Sequence, residues 1–158
     1  MKALTLTQPW ATLVAIGAKR IETRSWSTTY RGQLAIHAAA GASTIGWPQI
    51  NHICRHTEPF KSVLQLTEHP AHALPLGAIV AICELVDCRP IAHTTIEYGA
   101  HMDDYDMIWS ITDQERAFGD YTHGRWAWLL NDVHALDTPI PAKGALGLWE
   151  WEAPHAKG

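Results

Sequence analysis

Hydrophobic and polar positions alternate or recur along this chain in a way that predicts several short strands, an early helix and a helical insertion. Leu4 and Leu6 share one face of a strand over residues 2–6. Pro9 suits the first turn of a helix, where its missing N–H is no loss. Trp10, Leu13 and Val14 follow at helical spacing, and Gly17 is placed to end that helix in the left-handed conformation. Residues 19–26 read as a loop entering a strand. Residues 32–38 predict another, with Leu34 and Ile36 on one face and Gln33, Ala35 and His37 on the other. Residues 42–73 predict helix, with Pro48 and Pro59 starting two separate segments. The strongest strand pattern covers residues 77–86, where Ile79, Ala81, Cys83 and Leu85 oppose Ala78, Val80, Ile82 and Glu84. Residues 89–123 are polar and acidic, with one helix predicted over 112–118. Two tryptophan-bearing strands follow. Residues 125–130 set Trp126 and Trp128 on one face, and residues 145–152 set Trp149 and Trp151 opposite Leu146 and Leu148.

Separated strands with an early helix predict an α+β chain built on a small mixed barrel rather than a doubly wound sheet. There is no internal repeat, no regular strand–helix alternation and no glycine-rich phosphate loop, which argues against a dinucleotide or P-loop fold. The 158 residues fit one domain, here taken as 1–158. No apolar run approaches the roughly 18 residues of a membrane span, and the first residues lack the features of a signal peptide. Three cysteines cannot close a disulfide set, which predicts a reducing cytoplasm.

Charge sharpens this picture. The net charge of -4 argues against indiscriminate nucleic-acid binding, but the distribution is uneven. Lys2, Lys19, Arg20, Arg24 and Arg31 face Glu22 alone in residues 1–31. Over residues 97–120 the balance reverses, with Glu97, Asp103, Asp104, Asp106, Asp113, Glu115 and Asp120 against Arg116. An anion is drawn to the first region and repelled by the second. For the acidic stretch, an ordinary solvated surface is the preferred reading.

The first region is also the densest block of candidate chemistry. If Ile21 begins a strand, Glu22 and Arg24 share a face and Lys19 reaches Glu22 from the preceding loop. Two cations around one carboxylate keep it ionised and leave positive charge for a ligand. The competing reading is a surface ion pair of little energetic worth. Trp10 serves either as core or as a stacking platform. Trp26 follows a polar segment and suits stacking against a base. His37 either lines a cleft or is a satisfied core histidine. Tyr121 and Arg125, beside Asp120 and Gly124, are placed near the same cleft or in a turn leading to Trp126. His52, Cys54 and His56 do not match good zinc spacing, so neither metal nor cofactor is assigned.

The motifs Q-P-W-A (residues 8–11), G-x-K-x-x-E-x-R-x-W (residues 17–26) and Y-R-G (residues 30–32) resemble the ASCH domain, a PUA-like β-barrel. The resemblance implies a cleft beside Lys19, Glu22 and Arg24 that holds RNA, a nucleobase or a modified nucleoside. Gln8, Trp10, Trp26, Arg31, His37, Tyr121 and Arg125 are the further ligand-binding candidates. Some relatives are hydrolases; one cleaves N4-acetylated cytidine with a lysine, a threonine and a distal glutamate. Its lysine matches Lys19, but its threonine falls at Glu22, and a carboxylate is not equivalent to an activated hydroxyl. Glu115 is the candidate for the distal glutamate, with Asp113 and Asp120 behind it. Other relatives are linked to RNA cleavage. The expectation is therefore an RNA- or nucleobase-binding module, with a hydrolase or a protein-interaction module as alternatives.

Overall fold

The computed structural model describes residues 1–95, 99–102 and 111–154. Glu97, Asp103, Asp104 and Asp106 of the acidic stretch lie outside them. The described chain forms, in order, β1 (Lys2–Leu6), α1 (Trp10–Ala15), β2 (Ile21–Arg24), β3 (Gly32–Ala38), a 3-10 turn (Ser43–Ile45), α2 (Gly46–His56), α3 (Phe60–Leu64) and α4 (Pro70–Ala73). There follow β4 (Ala78–Thr95), β5 (Gly99–Met102), α5 (Asp113–Ala117), β6 (Trp126–Pro141) and β7 (Leu148–Glu150). This is the expected α+β class. Among the described residues no helix is long and apolar enough to cross a membrane.

The sheet runs β2-β6-β4-β3-β1-β7, with β5 paired to β4. Among the described residues only β1 and β3 pair in parallel; the other ladders are antiparallel. Its curl has a local cause. The β4–β6 ladder shifts register between Ile79 and Ala81, Ile82 and Glu84, and Leu85 and Asp87, and each extra residue bends and twists the pair. Asp132, on the bulged side, adopts φ 47, a conformation that aspartate tolerates better than branched residues do. The result is a half-barrel with β2 and β7 at its edges.

α1 has six residues, too few for a helix to persist alone in water. It is held by burial of Ala11, Leu13 and Val14. Ala11 and Val14 join the main core with Leu4, Leu6, Leu34, Ile36 and Trp128. Leu13 turns to the other side and packs with Phe60 and Phe118, which ties α1 to α3 and α5. Residues Leu34 to Ala38 of β3 are all buried, so the predicted outer face is covered too. Ala35 belongs to a separate small core with Ala3, Ile79 and Trp151.

Four expectations are revised. β4 runs to Thr95, nine residues past its predicted end, and pairs there with β5 in the stretch for which only a helix was expected. The 42–73 insertion carries a third helix, α4, begun by Pro70 and capped by the His69 ring accepting from the Ala71 N–H. β6 continues to Pro141, eleven residues past the predicted end at Leu130; its second half is mostly exposed, so no apolar alternation marks it. The last strand is shorter than predicted, because residues 145–147 form a loop closed by Gly147 at φ 68.

Candidate functional site

A half-open cleft of about 500 Å³ lies where the end of β1, the start of α1, β2 and the segment after α5 converge. Its chemistry begins with Lys19. The Lys19 backbone N–H donates to Leu13 O at 2.9 Å, which draws the residue back under α1. Its side chain is 1% exposed, and its ammonium donates to Ile21 O and lies 3.6 Å from Glu22 Oε2. On the other flank Arg24 Nε lies 3.3 Å from Glu22 Oε1, a charge contact without hydrogen-bond alignment. Arg24 Nη2 donates to Thr5 O at 2.9 Å. Glu22 is thus held between two cations, each anchored to a backbone carbonyl. A cation fixed in this way keeps donor capacity for a ligand without the entropy of a free side chain.

The opposite wall is Phe118, Gly119, Asp120 and Arg125. Thr23 joins the walls: its hydroxyl accepts from Asp120 N–H at 3.0 Å, and its carbonyl accepts from Arg125 Nη2 at 3.3 Å. Gly119 packs so closely that a Cβ there would sit 2.9 Å from Tyr121 Cε2. Arg125 Nε lies 3.4 Å from Asp120 Oδ2. The Thr122 hydroxyl and backbone N–H bond the Asp120 carboxylate, and together with Arg125 they hold its pKa below the usual aspartate range despite an opposing push from partial burial. The lining therefore carries Lys19, Arg24 and Arg125 against Glu22 and Asp120. Trp10, half-buried with its ring edge-on to Phe60 at 6.2 Å, also lines the cleft.

Five of the candidate residues, Trp10, Lys19, Glu22, Arg24 and Arg125, come together here. The others lie elsewhere. Gln8 is buried; its amide donates to Pro75 O at 2.8 Å and its Oε1 accepts from Thr12 N–H at 3.1 Å, so it caps α1 where Pro9 has no capping side chain. Trp26 stands edge-on against Trp128 at 4.7 Å, and its carbonyl accepts from the Trp128 indole. Arg31 pairs with Asp87 at 2.9 Å and donates to the Thr28 and Tyr30 carbonyls. His37 is buried against Trp149 beneath residues 142–145. Tyr121 is buried behind Gly119 with no hydroxyl partner among the described residues; burial, then the charges of Glu115 and Glu22, drive its pKa far upward.

Glu115 is buried, 8% exposed, and does not line the cleft. Its carboxylate accepts from Arg20 N–H at 3.0 and 3.2 Å and from Ile21 N–H at 3.0 Å. It clamps α5 to the loop that presents Lys19. The carboxylate that faces the cleft from this side is Asp120. Sequence reasoning also missed Thr5, whose contribution to the cleft is a backbone carbonyl that no side-chain motif can signal.

A curled mixed sheet with a cation-flanked carboxylate on β2 defines a small α+β class of half-barrel proteins. The ASCH domain matches residues 4–133, and the chain belongs to that family. Activating signal cointegrator 1 of Homo sapiens is 31% identical over 85 residues, which span 54% of this chain and 14% of that protein. The Mus musculus protein of the same name is 32% identical over 85 residues, with the same shares. The matched segment is thus about one seventh of these relatives. A mutant ASCH protein of Zymomonas mobilis, solved by crystallography, superimposes with a TM-score of 0.44 at 15% identity, covering 89% of this chain and 74% of that one.

Proposed function

We propose that the cleft binds single-stranded RNA or a nucleobase. The observation that carries this reading is Glu22 held between Lys19 and Arg24 in a half-open cleft of about 500 Å³, with Arg125 across it. That volume suits one nucleotide-sized ligand. The three cations outnumber the two carboxylates; Arg24 and Arg125 supply donors for phosphate or base oxygens, and Lys19 adds positive charge from beneath. Glu22 accepts from an exocyclic amine, as carboxylates do from cytosine N4. Trp10 offers a ring for stacking.

Fluorescence anisotropy with a labelled single-stranded RNA tests this over a salt series. Arg24→Gln combined with Arg125→Gln is expected to weaken binding at least ten-fold, about 1.4 kcal/mol, and to reduce the salt dependence. Lys19→Ala combined with Arg24→Ala is expected to do the same. RNA affinity unaltered in both pairs, with circular dichroism showing them folded, rejects the reading.

A hydrolytic role for the same residues rests on one specific observation, the nearly inaccessible Lys19 ammonium 3.6 Å from Glu22. With Glu115 bound to backbone amides, Asp120 is the distal carboxylate this role would use. Incubation with N4-acetylcytidine and with labelled RNA tests it. No turnover, or turnover that survives Glu22→Gln, removes this role and leaves binding alone.

A further inference from the structure

A second pocket of about 370 Å³ lies beside the cleft and shares Thr5 with it. Thr5 is the physical joint between them. Its carbonyl holds Arg24 of the cleft, while its hydroxyl donates to Ala145 O and accepts from the Trp149 indole, each at 3.1 Å. Those bonds fix the 142–147 loop that forms one wall of the second pocket. Three features mark it. Leu146 is 98% exposed, an apolar side chain the core does not use. Lys143 stands exposed two residues after Pro141 ends β6. His37 lines the pocket, its Nε2 donating to Ala142 O at 3.0 Å, while its buried Nδ1 has no partner among the described residues. Unpartnered buried polar atoms are rare because each forfeits its hydration.

We propose that this pocket is a second nucleotide subsite, so that the ligand is an RNA segment crossing Thr5 rather than a single nucleoside. This rests on the cleft reading above. Lys143 meets a phosphate, as exposed cations do along a strand. Leu146 and the alanines at 39 and 40 form an apolar wall against which a base lies. The His37 ring forms the floor of the pocket beneath Gly144, where a Cβ would come within 2.7 Å of Nδ1. The mostly apolar lining suits a base and its sugar better than a free anion.

The test is anisotropy with a labelled mixed-sequence RNA hexanucleotide, with unlabelled nucleoside 5′-monophosphates as competitors. Lys143→Gln and Leu146→Ser leave the cleft untouched and replace exposed side chains, so folding is retained. Lys143→Gln is expected to lower the salt slope for the hexanucleotide by about 0.7, the value of one phosphate contact on a single strand. Leu146→Ser is expected to weaken the hexanucleotide about five-fold through lost apolar contact. Neither is expected to change mononucleotide competition. If both variants bind the hexanucleotide as wild type does while Arg24→Gln with Arg125→Gln does not, the cleft reading stands and the second subsite is rejected. If both weaken mononucleotide and hexanucleotide equally, the separate subsite is likewise rejected. Wild-type protein that binds neither overturns both readings. The hexanucleotide comparison decides by itself where mononucleotide binding is too weak to measure.

Discussion

Replacing Glu115 by alanine removes the acceptor for two backbone N–H groups at the point where the chain turns into β2. The carboxylate accepts from Arg20 N–H through both oxygens and from Ile21 N–H through one. Hydrogen bonds to a charged group contribute about 1.5–3 kcal/mol each. The two contacts from Arg20 share a single N–H, so two bonds are lost rather than three, an upper range of about 3–6 kcal/mol. Glu115 also borders a pocket of about 340 Å³ from which water can reach the freed amides and recover part of the loss. The expected cost of Glu115→Ala is therefore about 3 kcal/mol, and of Glu115→Gln about 1 kcal/mol because one carbonyl oxygen remains. For a chain of this length, about 3 kcal/mol lowers the melting temperature by roughly 6–12 °C. Urea unfolding with thermal melting measures this directly. RNA affinity is expected to fall with stability, and Gln is expected to restore most of both. An alanine variant within about 0.5 kcal/mol of wild type would show the clamp to be idle. A catalytic role predicts the opposite pattern, with Gln as damaging to turnover as Ala and no stability change in either.

Gly144→Ala is expected to destabilise by about 1–3 kcal/mol in urea, since its Cβ would lie 2.5 Å from His37 Cε1 and 2.9 Å from Thr5 Oγ1. An unchanged midpoint would mean that the loop shifts freely. Asp120 titrates below its ordinary value chiefly because the Thr122 hydroxyl bonds it, so its contribution is full above the unfolded pKa of about 3.9 and is lost as pH falls through the lower folded value. Thr122→Val is expected to bring that loss to higher pH in acid unfolding; identical acid limbs would refute the assignment. Burial pushes the Cys54 thiol up to about 11 and the Cys83 thiol up to about 12. Both are expected to resist a thiol-specific reagent at neutral pH until denaturant is added, as only the thiolate reacts.

Much of the fold was readable because local pattern and burial agree. The alternation in β1, the spacing of Trp10, Leu13 and Val14, and the run from Ala78 to Leu85 each mark a face that the structure buries. The second half of β6 was not readable, because it pairs with β4 while lying mostly in solvent. For the cleft, the sequence by itself determined the Lys19–Glu22–Arg24 arrangement, since strand alternation and a short preceding loop suffice to bring those charges together. It did not determine which distant residues join them. Trp26, Arg31 and His37 are near the motif in sequence, yet Trp128, Asp87 and Ala142 engage them elsewhere. Arg125, about a hundred residues away, reaches the cleft because β2 pairs with β6 and Thr23 bonds the Asp120 segment. The exchange of roles between Glu115 and Asp120 has the same origin. Both are acidic and close in sequence, and only packing decides that one carboxylate turns inward to backbone amides while the other faces the cleft.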